Sequence, residues 1–330
     1  MTKPKVFVTR IIRDAGLTLI REHCRADVWD GAMPPSRETM LERVRGVDGL
    51  LCLLTDRVDG ELLDAAGPQL KAISNHAVGF DNIVVADATA RKIPVGNTPG
   101  ILTDATADLA FALLLAAARR LPESQQYLLD GKWKTWEPSA LLGMDLAGKT
   151  LGLIGFGRIG RAVAKRAVGF DLRVIYYSPN AKPEFGAAPA NSLDELLRQS
   201  DFVSIHTPLN DSTRRMVNAE FLSKMKASAL LVNTSRGGVV DQDALYRALK
   251  SNQIFAAALD VTDPEPLPLD SPLLTLENCF IVPHIGSASE RTRDEMSRLA
   301  AENLIAGVKG ERLPHCVNPE VYAGKLEPGV

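Results

Sequence analysis

The sequence predicts an α/β protein built from two Rossmann-like, doubly wound parallel-sheet domains, with an active site in the cleft between them. Three observations carry this prediction. Short β-branched runs alternate with helical ones through the first part of the chain, and the alternation starts afresh at Lys149. The turn GFGRIG (155–160) then joins a strand-like run to a helix. The length agrees, because 330 residues exceed the ~250–300 at which single cores stop growing.

In chain order, KVFVTR (5–10), ADVW (26–29), GLLCLL (49–54), LKAIS (70–74) and IPVGN (93–97) read as strands. Between them AGLTLIREH (15–23), RETMLERVR (37–45), GELLDAA (60–66) and VADATARK (85–92) read as helices. Strand–helix alternation at this spacing calls for a parallel sheet covered on both faces. The second set of strands is KTLGLIGF (149–156), RVIYYS (173–178), DFVSIHT (201–207), ALLVNTS (229–235), FAAALD (255–260) and NCFIVPH (278–284). The helices RIGRAVAKRAV (158–168), LDELLRQS (193–200), AEFLSKMK (219–226) and DALYRALKSN (243–252) alternate with them. A long helix and an irregular segment occupy 101–148, and ASERTRDEMSRLAAENLIAGV (288–308) forms a last long helix with no sheet of its own left to cover. The expected division is therefore a discontinuous, flavodoxin-like substrate domain, 1–98 plus 288–330, and a dinucleotide-binding domain, 99–287.

Composition narrows the function classes. The chain is 45% apolar and 24% charged with a net charge of −2, which gives no electrostatic reason to expect nucleic acid or an anionic membrane as partner. Cys24, Cys52, Cys279 and Cys316 are widely spaced, form no CxxC pair, and read as reduced packing residues with no metal site. MTKPKVFVTR runs straight into a strand pattern without a signal-peptide apolar region. The most apolar run, LAFALLLAAA (109–118), is about half the ~20 residues a bilayer span needs and reads as a buried or interface helix. A cytoplasmic protein is expected.

The turn Gly155-Phe156-Gly157-Arg158-Ile159-Gly160 sits where a dinucleotide fingerprint requires it. Its first glycine permits the tight turn, its second lets backbone approach a pyrophosphate, and its third lets helix pack on strand. The helix N-terminus adds free N–H groups and the positive end of the dipole. An acid about 20 residues further on usually holds the ribose 2′-OH. Here that position is Ser178, with Asn180 and Lys182 close by and no acid before Glu184. A carboxylate there would repel a 2′-phosphate, so its absence favours NADPH, with NADH possible.

Three further segments fall at strand ends: NTSRGG (233–238) with Arg236, DVTDPEPLP (260–268) with Glu265, and VPHIGS (282–287) with His284. Ligands of open parallel sheets bind outside the carboxyl ends of the strands, where all three would lie.

With these motifs the chain resembles the D-2-hydroxyacid dehydrogenases from about residue 47 to 313, through GNTPGILTDATADLA, GKTLGLIGFGRIG, NTSRGGVVDQDAL, LDVTDPEPLP and VPHIGSAS. Within that family it is most similar to glyoxylate/hydroxypyruvate reductases, on LTDRVDGELLDAAGP, GKWKTWEP and Ser178. The resemblance implies reduction of a short 2-keto acid to the D-2-hydroxy acid, with His284, Glu265 and Arg236 catalytic: a protonated His284 would supply the proton for the carbonyl oxygen, Glu265 would stabilise the imidazolium, and Arg236 would grip the substrate carboxylate. It implies cofactor contacts from Thr106, His206, Thr207, Pro208, Thr234, Ser235, Arg236, Asp260, His284 and Gly286, and no metal. Asp260 would meet the carboxamide and Thr106 a phosphate. Substrate contacts would come from Leu54, Arg236, Ser287 and the backbone N–H groups of Val78 and Gly79, with His76 a wall residue. It also implies a homodimer in which 101–148 is the dimer arm and Trp136 of the partner subunit shapes the pocket. A 2-ketogluconate reductase is the nearest rival, and a dinucleotide-sensing corepressor-like binding protein is the alternative of another class.

Overall fold

A computed structural model of the chain describes residues 2–179 and 181–323. The chain divides into two compact units, 1–102 with 288–330 and 103–287.

The first unit opens with β1 (Lys5–Val8), α1 (Asp14–His23), β2 (Arg25–Val28), α2 (Arg37–Arg43), β3 (Gly49–Cys52), α3 (Gly60–Ala66), β4 (Ala72–Asn75), α4 (Val85–Ala90) and β5 (Val95–Gly96). All pairings are parallel and the order is β2-β1-β3-β4-β5, the flavodoxin-type order. β1 and β3 are nearly continuous apolar runs, and β4 is buried throughout, because both faces of the sheet are covered. Ser36 and Asp59 cap α2 and α3 through their side-chain oxygens, which fixes where the chain turns into helix.

The second unit holds α5 (Thr103–Ala118), α6 (Leu121–Leu129), β6 (Thr150–Ile154), α7 (Arg158–Ala167), β7 (Arg173–Tyr177), β8 (Ala188–Pro189), α8 (Leu193–Gln199), β9 (Phe202–Ile205), α9 (Ala219–Ser223), β10 (Leu230–Asn233), α10 (Gln242–Lys250), β11 (Ala256–Leu259) and β12 (Cys279–Ile281). These strands form one parallel sheet, β12-β11-β10-β9-β6-β7-β8. The order reverses between β6 and β9, and such a reversal opens a crevice at the carboxyl ends of the strands. The apolar helix α5 buries Ala107, Ala110, Phe111, Leu113 and Leu114 against α7, β10 and β11, so its sequence is that of a core helix. The two-residue strand β8 escapes sequence analysis because it is too short to show a period. Among the described residues no helix is long and apolar enough to cross a membrane, and no cluster of His, Cys, Asp or Glu could hold a metal ion.

The last helix, α11 (Glu290–Val308), packs on α1 and over β3 and β4 of the first unit. The Ser74 hydroxyl donates to the Ala300 carbonyl at 2.7 Å. Gly16 lets α1 approach, since a Cβ there would lie 2.1 Å from the Ser297 carbonyl oxygen.

Candidate active site

β10, β11 and β12 are adjacent and parallel, with Asn233 beside Leu259 and Leu259 beside Ile281. Three loops therefore leave one edge of the sheet side by side, carrying Arg236, Glu265 and His284. The Arg236 turn is fixed by the fully buried Asn233. Its Oδ1 accepts the Ser235 N–H at 3.0 Å and the Ser235 hydroxyl at 2.8 Å, and its Nδ2 donates to the Arg236 carbonyl at 3.0 Å. The next residue must be glycine: a Cβ on Gly237 would lie 1.8 Å from the Thr262 carbonyl oxygen. That contact lays the Arg236 turn against the loop that carries Glu265.

Glu265 is placed from within its own loop. Its Oε1 accepts the Thr262 N–H at 3.0 Å, while the Thr262 hydroxyl donates to the Pro264 carbonyl at 2.9 Å. The Gln242 side chain bonds the Asp263 backbone in both directions, tying the loop to α10. The other carboxylate oxygen, Oε2, meets Nδ1 of His284 at 2.8 Å.

His284 has φ +53°, a left-handed conformation uncommon outside glycine. A strained residue persists only where its surroundings over-determine it, and here Asp260 does so. The Asp260 carbonyl accepts the His284 N–H at 2.9 Å, and its carboxylate accepts the N–H groups of Ile285 at 2.6 Å and Gly286 at 2.9 Å. A Cβ on Gly286 would lie 2.8 Å from the Asp260 carboxylate, so glycine is needed for this clamp. Thr106, on α5, donates its hydroxyl to the Gly286 carbonyl at 3.2 Å. Both Asp260 oxygens and the Thr106 hydroxyl are thus engaged on the His284 loop.

The electrostatics separate the titrating groups. Burial works against ionisation of Glu265, but the hydrogen bond and charge of His284, the Thr262 N–H and the Arg236 guanidinium outweigh it and hold the carboxyl below its ordinary range. The appearance of Arg236 in that balance places its charge close to the Glu265–His284 pair. Burial dominates at Asp260 and pushes its carboxyl up. Burial also drives His76 and His206 down to about 4, which leaves both neutral near pH 7. His284 is the histidine paired with a carboxylate among the described residues. An ionised carboxylate only accepts, so Nδ1 carries a proton and Nε2 is the nitrogen left for other chemistry.

The glycine turn fits a dinucleotide. Gly155 has φ +91°, and a Cβ there would lie 2.6 Å from the His206 carbonyl oxygen, so the turn is pressed against the chain leaving β9 at the sheet's reversal point. Gly160 approaches the Gly155 carbonyl so closely that its Cβ would lie 2.3 Å away, whereas Gly157 has nothing within 4 Å and is open to a ligand. Gly157 caps α7 without a side-chain hydrogen bond, leaving the N–H groups of Arg158 and Ile159 for an anion. Phe156 is buried and stacks on Tyr176 at 4.1 Å, so its side chain shapes the turn from behind. Nδ1 of His206 and the hydroxyl of Thr234 are buried without a partner among the described residues. Buried polar atoms of this kind call for a partner, and both sit just past the ends of β9 and β10. Thr207 and Pro208 follow His206; the Pro208 carbonyl accepts the Thr213 hydroxyl at 2.7 Å. Ser178 stands at the end of β7, partly buried, and Lys182 is exposed; Asn180 lies outside the described residues. Glu184, the first acid after Ser178, pairs with Arg161 at 3.2 Å.

Of the residues expected at the substrate, Ser287 follows the Gly286 clamp, partly buried. Leu54, Val78 and Gly79 belong to the first unit, in the loops after β3 and β4, and all three are partly exposed. His76 is buried there, with Nε2 3.0 Å from the Ser297 hydroxyl and its N–H donating to the Cys52 carbonyl. Trp136 is 80% exposed and Trp133 65%, beside a cleft of about 340 Å³ lined by Tyr127, Leu128, Ala140 and Leu141. Sequence reasoning passed over Asn233, Thr262 and Gln242. The first was detectable, since Asn followed two residues on by Ser at a strand end is an Asx-turn signature.

Comparison with known proteins supplies the context. The family model for the NAD binding domain of D-isomer specific 2-hydroxyacid dehydrogenases matches residues 111–286. The chain is 51% identical over 323 residues to a glyoxylate reductase of Korarchaeum cryptofilum, covering 97% of each chain. A solved protein of Thermus thermophilus superposes with a TM-score of 0.90 at 48% identity, over 95% of this chain and 99% of that one. An NADPH-dependent glyoxylate/hydroxypyruvate reductase from Sinorhizobium meliloti, solved with NADP and malonate, gives 0.84 at 32% identity over 96% and 97%.

Proposed function

Since this chain belongs to the D-isomer specific 2-hydroxyacid dehydrogenases, we propose that it reduces glyoxylate, and hydroxypyruvate beside it, to the D-2-hydroxy acid with NADPH. The observation that carries this is the Glu265–His284 pair, 2.8 Å apart, beside Arg236 on three neighbouring strand ends. Glyoxylate reductases at up to 51% identity over nearly the whole chain support the substrate.

The nicotinamide supplies a hydride to the keto carbon when bound. Arg236 holds the substrate carboxylate through a charge-assisted fork, which sets the keto oxygen toward Nε2 of His284. Nε2 donates its proton to that oxygen as negative charge develops there. Glu265 stays anionic, keeps the proton on Nδ1 and stabilises the imidazolium before transfer. Asp260 holds the ring's backbone in place through both steps. By resemblance, the N–H groups of Val78 and Gly79 would donate to a substrate carboxylate, and Leu54 and Ser287 would suit a short substrate. Arg158, Ile159 and Gly160 would hold a pyrophosphate through their N–H groups, and Thr106, His206, Thr207, Pro208, Thr234 and Ser235 would line the cofactor site. We read the chain as a cytoplasmic homodimer, supported by Trp133, Trp136, Leu128, Leu129 and Leu142, all at least 49% exposed on one segment. The test is consumption of NADPH absorbance on adding glyoxylate. Nucleotide binding without turnover would instead indicate a sensor.

Two predictions arise here. Ser178→Asp places a carboxylate at the end of β7, where it would repel a 2′-phosphate and accept from a ribose hydroxyl. The NADPH/NADH ratio of kcat/KM should fall at least about tenfold, as ~1.4 kcal/mol of discrimination is lost; an unchanged ratio removes the NADPH argument. Glu265→Gln keeps a hydrogen-bonding group beside the His284 ring but removes the negative charge, so kcat for glyoxylate reduction should fall by about 10–100-fold, roughly 1.4–2.7 kcal/mol, with KM for NADPH within about twofold. An unchanged kcat, measured where a deuteride isotope effect shows chemistry to be rate-limiting, would show that the carboxylate only orients the ring.

A further inference from the structure

The loop after β4 shows how its donors are aimed. The Ala77 carbonyl accepts the Thr98 N–H at 2.9 Å, and the Val78 carbonyl accepts Nδ2 of Asn97 at 2.8 Å. A trans peptide points its N–H opposite to its C=O. Holding both carbonyls on the single segment 97–98 therefore turns the N–H groups of Val78 and Gly79 away from it together. Neither N–H has an acceptor among the described residues. Asn97 is held in turn from α11: the fully buried Asn303 donates Nδ2 to the Asn97 carbonyl at 2.9 Å and accepts the His315 N–H at 3.0 Å on Oδ1. Gly96 permits this approach, since a Cβ there would lie 2.8 Å from the Asn303 amide carbon. On the far side Asn75 Nδ2 donates to the Gly79 carbonyl at 2.9 Å, and Asn82 Nδ2 binds the carbonyls of Leu53 and Asp56, which joins this loop to the one carrying Leu54.

We infer that Asn97, held by Asn303, is a positioning residue for the substrate carboxylate: it fixes the Val78–Gly79 peptide plane so that two adjacent N–H groups are presented as one anion-binding pair. The inference rests on the reading of those N–H groups as carboxylate donors. It assigns the specificity for an acid over a neutral carbonyl partly to a side chain that never touches substrate. Removing the Asn97 donor frees the peptide plane to rotate. The loss then falls on keto acid binding, because proton transfer is assigned to His284 and hydride transfer to the nicotinamide.

The experiment is steady-state kinetics on Asn97→Ala, Asn97→Ser and Asn97→Asp, with glyoxylate and NADPH varied separately. Asn97 is partly exposed and its replacement leaves no large void, and thermal melts check that each variant folds. The expected result for Asn97→Ala is a rise of about tenfold in KM for glyoxylate, with kcat and KM for NADPH within about twofold. Asn97→Ser, which keeps a donor, should recover part of the loss. Asn97→Asp, which sets a carboxylate against the Val78 carbonyl, should exceed it. An unchanged glyoxylate KM in both Ala and Asp variants overturns the inference. So does a parallel loss in kcat, both KM values and melting temperature, which marks a role in folding alone. If the unaltered protein shows no turnover of glyoxylate, the functional reading itself fails, and the two failures are told apart by that control.

Discussion

His284→Gln should lower kcat for glyoxylate reduction by roughly a thousandfold while the affinity for NADPH stays within about twofold. Glutamine fills similar space and keeps a hydrogen bond toward Glu265, but it cannot deliver a proton. The expected loss lies in the range of removed general acid catalysis, about 10²–10⁴. The left-handed backbone at His284 adds a second, smaller effect. A long unbranched side chain is less suited to φ +53° than histidine, at a cost of up to about 1 kcal/mol in stability. A thermal melt separates that from catalysis. The check is single-turnover reduction with deuterated NADPH: chemistry should become fully rate-limiting and show the whole isotope effect. A loss below tenfold would mean that water or another group protonates the carbonyl. Neither His76 nor His206 is a substitute, because burial holds both near 4.

How much of this was legible in the sequence depends on the distance over which each feature is determined. The GFGRIG turn is local, and so is its strand–turn–helix context; the structure adds that Gly155 is needed because His206 passes behind it. The placement of Arg236, Glu265 and His284 at strand ends was also readable, since each follows an apolar run. Their convergence was expected from the general placement of ligands at strand ends and from the resemblance; the structure supplies its cause, which is that β10, β11 and β12 are neighbours and that Gly237 has no side chain to hold the first two loops apart. Asp260 and Thr106 show the limit more clearly. The resemblance implies cofactor contacts for both, and the structure adds a bond from each to the backbone after His284. A bond between residues 180 apart in the chain, as from Thr106 to Gly286, has no local sequence signature. The Asn303–Asn97–Val78 chain is hidden for the same reason.

Arg236→Ala should reduce kcat/KM for glyoxylate by about a thousandfold, most of it through KM. Truncating one partner of a hydrogen-bonded charge pair costs about 2–5 kcal/mol, and about 4 corresponds to this factor. Two contributions are mixed in that number: the fork that fixes the substrate's orientation and the positive charge that helps hold Glu265 anionic. Arg236→Lys separates them. Lysine keeps the charge but presents a point donor in place of a planar fork, so it should recover about tenfold over alanine and no more. Oxalate, which offers carboxylates but no reducible carbonyl, should weaken as an inhibitor in step with KM across both variants. If Lys restored full activity, the charge alone would suffice. If oxalate inhibition were unchanged while kcat fell, Arg236 would be acting on the Glu265–His284 pair and the carboxylate would be held elsewhere. The expected ordering, arginine above lysine above alanine in both measurements, follows from two parallel N–H···O bonds that only a guanidinium can make to one carboxylate.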